Sequence, residues 1–216
     1  AANPGQQVAA DAAIAVKGLY FPPHPGDENA MMGGLAVTNA GGARAVKYGV
    51  IRNFVRGLEV VLPNGEVTML GGKLIKSSSG YSLLNLMIGS EGTLGIVTKV
   101  ILNLYAPPGA SYTLVVPYNS LEEAIRTVPA IIKSRIQPLA VEFLERETIA
   151  VTEDFLNRTW PASQGSAYLM IILDASGEDE LLRLSEELAQ LCLDKGAIDV
   201  FVADDKQKQH NILEIR

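Results

Sequence analysis

The chain has 216 residues, of which 48% are hydrophobic and 19% are charged, and its formal net charge is −6. This composition is typical of a folded protein and excludes an extensively disordered chain. The acidic balance argues against a nucleic-acid-binding protein, which usually needs a basic surface. No apolar run approaches the roughly eighteen residues of a membrane-spanning helix.

Cysteine and histidine are scarce. Cys192 is the only cysteine, and His24 and His210 are the only histidines. These three residues have no metal-ligand spacing, so we expect no metal site. The alanine-rich start lacks the basic region of a signal peptide, which favours a cytoplasmic location. It also lacks a methionine, which leaves open that the chain begins inside a larger protein.

The first half of the chain alternates short helices and strands. In chain order, apolar periodicity predicts a helix over 7–18, strands over 58–62 and 67–70, a helix over 81–88 and a strand over 96–104. Asn64-Gly65 predicts a hairpin with a type I′ turn, in which both central residues have positive φ. Pro107-Pro108-Gly109 then predicts a boundary between domains at 1–106 and 107–216.

The second half has longer elements. In chain order we predict a strand over 112–116, a helix over 120–135, a strand over 140–143, a helix over 145–156, a strand over 167–173, a helix over 176–195 and a strand over 198–202. Ser120 and Glu123 form a capping box, and Pro129 is expected to kink or shorten that helix. The alternation predicts an α+β fold, a sheet with helices on one face.

Two glycine-rich segments carry most of the functional information. The first is 33–42, GGLAVTNAGG, and the second is 89–98, GSEGTLGIVT. Glycine lacks Cβ, so such a backbone can approach a ligand closely and present N–H groups to an anion. Neither segment has the GxGxxG or Walker pattern. We interpret them as a slot for a large phosphorylated cofactor. The alternatives are a tight turn or close strand–helix contact for the first segment and a turn capped by Glu91 for the second.

Individual residues of the two segments receive specific roles. Asn39 would supply a side-chain amide, and the backbone of Ile96 and Val97 would face an adenine ring. The cofactor-binding candidates are Gly26, Gly33, Gly34, Asn39, Ala40, Gly41, Gly42, Glu91, Gly92, Gly95, Ile96 and Val97.

Several motifs occur in an order and spacing that resemble a known flavoprotein family. They are Met32-Gly33-Gly34, residues 38–42, Lys47-Tyr48-Gly49-Val50, residues 58–62, Ser79-Gly80-Tyr81 and residues 89–98. They are similar to those of the vanillyl-alcohol oxidase/p-cresol methylhydroxylase (PCMH) type, in particular the glycolate oxidase FAD-linked subunit and D-lactate dehydrogenase group. The resemblance implies the second lobe of a PCMH-type FAD-binding domain, followed by part of a ferredoxin-like α+β cap domain.

The same resemblance implies a cofactor and a reaction. FAD would be bound, with 33–42 along the flavin and pyrophosphate and 91–97 along the ribityl-adenosine half. A small 2-hydroxy acid of the glycolate or D-lactate type would pass a hydride to the flavin. Arg216 matches a family arginine that binds the substrate carboxylate, and a solvated arginine at the chain end is the alternative. Tyr48 and Tyr81 are candidates for contact with the flavin, or else they pack structurally; no catalytic base is assigned.

The chain also departs from the family pattern. It has no match to the family's upstream glycine-rich pyrophosphate loop or to its downstream histidine-bearing segment, and Ser82 stands where Asp is usual. We therefore expect a piece of a larger flavoprotein that binds FAD weakly or not at all alone and is inactive alone. The alternatives are a non-enzymatic ligand-binding or assembly module and a split subunit completed by a partner chain. Exposed apolar surface at the missing lobe would favour self-association.

Overall fold

A computed structural model describes residues 6–23, 25–26 and 29–216. The chain forms two compact units, Ala1–Pro107 and Pro108–Arg216, here called unit 1 and unit 2. Within the described residues, no helix combines the length and the apolar character that crossing a membrane requires.

Unit 1 contains a three-stranded antiparallel sheet with short helices. Its elements are α1 (Gln6–Ala15), α2 (Met32–Thr38), α3 (Ala45–Tyr48), a 3-10 helix (Ile51–Asn53), β1 (Val55–Val61), β2 (Val67–Gly71), α4 (Leu83–Met87) and β3 (Ile96–Leu102). The strand order is β2-β1-β3. One sheet face packs against α2, the 3-10 helix and α4 through buried side chains that include Leu35, Ile51, Leu58 and Met87.

The predicted hairpin between β1 and β2 is confirmed, but its turn type is wrong. Gly65 has a φ of +86°, whereas Asn64 is not among the residues with positive φ. The N–H of Gly65 donates to Leu62 O at 2.8 Å, and the N–H of Leu62 donates to Glu66 O at 2.8 Å. These bonds enclose a three-residue loop. Pro63 explains the difference, because its fixed negative φ suits the first central position of a type I turn.

Helix α2 was not predicted from the sequence. Its residues Met32, Leu35 and Ala36 are buried in the core of unit 1. Their burial outweighs the low helix propensity of Gly33 and Gly34. The first glycine-rich segment is therefore half helix and half loop.

Unit 2 contains a four-stranded antiparallel sheet. Its elements are β4 (Ala110–Tyr118), α5 (Leu121–Lys133), β5 (Ala140–Glu145), α6 (Arg146–Leu156), β6 (Ala167–Ala175), α7 (Glu178–Asp194), β7 (Phe201–Ala203) and α8 (Lys206–Ile215). The strand order β5-β6-β4-β7 places β4 and β6 in the centre. Two interleaved β-α-β units with this order form a ferredoxin-like fold, so the predicted α+β class is confirmed.

Helices cover both faces of this sheet, so the prediction of one covered face is wrong. On the first face, Leu114 and Leu169 of the strands join Leu188 of α7 in a fully buried core. On the second face, Met170 is fully buried, and Ile212 and Ile215 of α8 are buried as well. Helix α8 was not predicted because its sequence begins with a polar run, KQKQHN, which has no apolar periodicity.

One of the two hydrogen bonds of the capping box at the start of α5, the bond to the Ser120 side chain, is confirmed. The N–H of Glu123 donates to Ser120 Oγ at 3.3 Å. The helix continues through Pro129 and ends at Lys133, two residues before its predicted end. Pro129 removes one helical N–H donor without ending the helix there.

Candidate functional site

A groove in unit 1 brings the two glycine-rich segments together. It has a volume of about 770 Å³, which lies within the range of small-molecule sites. Residues of α2 form one side, and the loop before β3 together with β3 forms the other. We call it the glycine groove. The predicted site residues that line it are Gly33, Gly34, Gly92, Gly95, Ile96 and Val97.

The other candidates lie outside the lining of the groove. Gly26 is an exposed residue in a bend with a φ of +89°. Ala40 O accepts the N–H of Ile51 at 2.9 Å, and Gly42 O accepts the N–H of Ala45 at 2.9 Å. Segment 40–42 thus turns the chain from α2 towards the 3-10 helix, and cofactor binding by these residues stays a prediction.

Packing within unit 1 requires one groove glycine, Gly95, and leaves little space at a second, Gly33. A Cβ at Gly95 would lie 2.7 Å from Val60 Cγ1 and 2.8 Å from Val61 O. A Cβ at Gly33 would lie 3.3 Å from Val97 O. Close contact between strands therefore explains glycine at Gly95, and close contact between α2 and β3 favours a small residue at Gly33.

The other two groove glycines face open space. A Cβ at Gly34 or at Gly92 would meet no heavy atom within 4 Å. Packing within the described residues therefore does not account for glycine at Gly34, which has an ordinary helical backbone. Bare backbone at both positions lets a ligand approach the main chain closely.

The start of the second segment is bonded to the end of α2. The N–H of Gly89 donates to Ala36 O at 3.2 Å, and the N–H of Glu91 donates to Val37 O at 2.8 Å. Glu91 has a φ of +52° and is exposed. These two backbone bonds fix the loop that carries Gly92 beside the helix that carries Gly34.

Asn39 occupies the C-cap of α2 in the left-handed region, with a φ of +50°. Its Oδ1 accepts the backbone N–H of Arg52 at 3.2 Å. The side chain therefore has a structural partner, and its predicted hydrogen bond to a cofactor stays a prediction. Arg52 is a residue that the sequence analysis missed, because a single arginine before an apolar strand carries no recognisable signal.

Neither tyrosine candidate lines the glycine groove. Tyr48 packs in an aromatic cluster, with its ring 6.5 Å from that of Phe54 and 6.0 Å from that of Tyr105. Tyr81 is 97% exposed and lies at a neighbouring pocket that Arg52 also lines. The geometry around Tyr48 is that of a packing residue.

The charge of the chain is divided unevenly between the units. Unit 1 has eight Lys and Arg residues against six Asp and Glu, whereas unit 2 has ten against eighteen. Lys99, another lining residue that the sequence analysis missed, donates to Glu59 Oε2 at 2.8 Å. Hydrogen bonds from Lys99 and Thr98 lower the pKa of Glu59. The groove thus lies in the cationic unit, which suits an anionic ligand.

Arg216 forms an ion pair within unit 2. Its Nη2 donates to Glu142 Oε1 at 3.0 Å, and its Nε contacts the second carboxylate oxygen of Glu142. The guanidinium thus holds a carboxylate in the bidentate manner expected of it, and this carboxylate belongs to β5. Substrate binding by Arg216 stays a prediction that would require Glu142 to release it.

The surface of the groove suits a cofactor with flat rings and an anionic linker. Met31 and Ile96 line it with side chains that are 42% and 69% exposed. Apolar side chains beside open backbone are the surface that an aromatic ring with polar edges needs. Among the residues described, no group of three or more His, Cys, Asp or Glu could hold a metal ion.

Comparison with protein families gives two matches. Residues 107–216 match the model of "FAD linked oxidases, C-terminal domain", and residues 2–71 match that of "FAD binding domain".

Similar curated proteins carry related names. A D-lactate dehydrogenase of Anaerostipes hadrus is 47% identical over 193 residues, which are 87% of this chain and 41% of the relative. A D-lactate dehydrogenase of Archaeoglobus fulgidus is 41% identical over 92% of this chain and 43% of its own length. The glycolate oxidase subunit GlcD of Bacillus subtilis is 38% identical over 94% of this chain and 43% of its own length. The chain thus spans about two fifths of the length of these relatives.

A solved structure of alkyldihydroxyacetonephosphate synthase shares the fold. Its TM-score is 0.74 at 18% sequence identity, over 97% of this chain and 43% of that chain.

Proposed function

This chain belongs to the FAD-linked oxidase family, and we propose that it is part of an FAD-dependent oxidoreductase that oxidises a small 2-hydroxy acid. The family matches confirm the resemblance and FAD as the cofactor. The hydroxy-acid substrate is supported by the names of the relatives, D-lactate dehydrogenase and glycolate oxidase subunit. The observation that carries the proposal is the meeting of both glycine-rich segments in one groove.

The residues of the glycine groove fit FAD. At Gly34 and Gly92 the space that a Cβ would occupy is open, so a ligand can approach the backbone there. Met31 and Ile96 offer apolar surface to a ring. When bound, FAD supplies the redox chemistry by accepting a hydride from the substrate carbon that carries the hydroxyl group. The groove residues bind and orient the cofactor and exclude water from one side of it.

The two units take different parts in this proposal. Residues 1–106 act as the second lobe of a PCMH-type FAD-binding domain, and residues 107–216 act as part of the cap domain that holds the substrate. The match of residues 107–216 to the C-terminal domain model supports the second assignment. Further polypeptide would complete the FAD site, since the relatives are more than twice as long.

A substitution at Gly34 tests whether the groove binds FAD. Gly34→Leu fills open space in the groove and raises helix propensity, so the variant is expected to fold. FAD titration of the 216-residue chain, followed by flavin fluorescence, is expected to show weak binding that this variant weakens at least tenfold. Ser78→Leu is the control for an added leucine, because Ser78 is an exposed, uncharged residue of unit 1 outside both glycine-rich segments and outside the groove lining.

The outcomes separate the parts of the proposal. Equal FAD affinity in Gly34→Leu and in the unsubstituted chain would contradict FAD binding in the groove. Tight stoichiometric FAD binding by the chain alone, seen as flavin absorbance near 450 nm, would contradict the need for further polypeptide.

A second candidate function is a split subunit or assembly module that another chain completes. The outer face of the unit 1 sheet favours it, because Val67, Met69 and Ile96 are exposed there by 59%, 51% and 69%. Val67 and Ile96 flank Val61 in register, which makes a continuous apolar strip. Light scattering is expected to show self-association that Val67→Lys reduces, and a monomer at high concentration would contradict this candidate.

A further inference from the structure

Arg52 is bonded to the first glycine-rich segment at the end of α2. It lies in the 3-10 helix, which the buried side chain of Ile51 anchors in the core of unit 1. The backbone N–H of Arg52 donates to Asn39 Oδ1 at 3.2 Å. Because Asn39 is the C-cap of α2, the position of Arg52 follows the position of that helix end.

The side chain of Arg52 reaches the beginning of the second segment. Nη1 donates to Asn85 O at 2.9 Å, and Nη2 donates to Ile88 O at 2.8 Å. Both carbonyls belong to the C-terminal end of α4, where backbone oxygens lack helical donors and carry partial negative charge. A planar guanidinium satisfies both at once, and Ile88 directly precedes Gly89 in the chain.

The two segments and Arg52 meet at Gly89. A Cβ at Gly89, which has a φ of +86°, would lie 3.5 Å from Arg52 Nη2 and 3.5 Å from Asn39 Cβ. The same loop is bonded to α2 through the N–H groups of Gly89 and Glu91. The position of Gly92 relative to Gly34 therefore depends on this junction.

We propose that Arg52 is a positioning residue that sets the separation of the two glycine-rich segments and thereby the affinity of the groove for FAD. Arg52 does not line the groove, so it acts through Gly89 and Asn39. The effect on FAD rests on the proposed function, whereas the effect on the junction does not.

Hydrogen exchange of the 216-residue chain without ligand tests the junction. Arg52→Gln removes the charge and the paired donors, so the amides of Gly89 and Glu91 are expected to exchange about tenfold faster. The amides of Leu58 and Val60 in β1 are expected to keep their rates. Arg52→Lys retains the charge and is expected to restore part of the protection.

Arg56→Gln is the matched control, because Arg56 is the other arginine of the neighbouring pocket. It is expected to leave exchange at Gly89 and Glu91 within twofold of the unsubstituted chain. Unchanged exchange in Arg52→Gln, equal acceleration in Arg56→Gln, or uniform acceleration that includes β1 would overturn the proposal. If Arg52→Gln unfolds unit 1, the test uses Arg52→Lys instead. The exchange rate of the Gly89 amide is then compared with that of the Leu58 amide in the same way.

An FAD titration of the same variants separates this proposal from the proposed function. FAD affinity is expected to fall about tenfold in Arg52→Gln and to change less than twofold in Arg56→Gln. If the unsubstituted chain binds no FAD while exchange behaves as expected, FAD binding by the groove of this chain alone fails, together with the effect of Arg52 on it, and the junction role stands. Unchanged FAD affinity despite faster exchange would overturn the link between Arg52 and the cofactor.

Discussion

Unit 1 depends more on backbone conformation at glycines, whereas unit 2 depends more on buried side chains. Of the eleven described glycines with positive φ, nine lie in unit 1, and four glycines line its groove. Unit 2 depends on side chains, since eight of the nine residues of β6 are buried. We therefore expect truncated core side chains to lower the free energy of unfolding most in unit 2. Added side-chain atoms at glycine positions should lower it most in unit 1.

The largest effect is expected from truncation of the unit 2 core. Leu169→Ala removes a fully buried side chain of β6 and should lower the free energy of unfolding by about 2–5 kcal/mol. Trp160, the only tryptophan, is buried in unit 2 and reports its unfolding in urea by fluorescence. The control Leu182→Ala alters a leucine that is 53% exposed and should cost about 0.5 kcal/mol or less. Similar losses in both variants would refute the account of the core.

The next effect is expected from a single methyl group in unit 1. Gly95→Ala would place Cβ 2.7 Å from Val60 Cγ1, and such overpacking should destabilise unit 1 by about 1–3 kcal/mol. Gly34→Ala, where a Cβ meets open space, should instead stabilise α2 by about 0.5–1 kcal/mol. Hydrogen exchange of β1 amides measures both changes. Changes in stability of opposite sign in the two variants would support the distinction between packing glycines and ligand-facing glycines. Changes of the same sign would contradict it.

The smallest effect is expected from pH, through a buried thiol of unit 2. Burial raises the pKa of the Cys192 thiol from 9.0 to about 11. The unfolded chain therefore loses this proton first, and stability should fall as pH rises from 9 towards 11, by about 1 kcal/mol between pH 8 and pH 10. Burial raises the pKa of Tyr118 as well, so Cys192→Ala should reduce this slope, without abolishing it near pH 10, in Trp160-monitored unfolding. An unchanged slope in that variant would show that another group causes it.

The accuracy of sequence-based prediction also differs between the units. Strand β6 was predicted because its apolar run is continuous, and α7 because its leucines recur at helical spacing. Helix α8 was missed because its first residues are polar, and α2 because glycine hides the pattern of Met32, Leu35 and Ala36. Glycine content did predict the groove segments, since backbone approach is a property of residue type.

Sequence patterns did not separate the roles of residues within the site. Gly34 and Gly95 look alike in the sequence, yet one faces open space and the other lies against β1. The contacts of Arg52 with Asn85 and Ile88 join residues 33 and 36 positions apart. Such distant pairs depend on tertiary packing, which local periodicity does not contain.

The central claim is that backbone of both glycine-rich segments contacts FAD. An amide chemical-shift titration of the isotope-labelled chain with FAD measures this directly. The amides of Gly34 and Gly92 should shift together with one affinity, while those of β4 and β6 should not shift. Shifts confined to one segment, shifts centred in unit 2, or no shift at millimolar FAD would contradict the account.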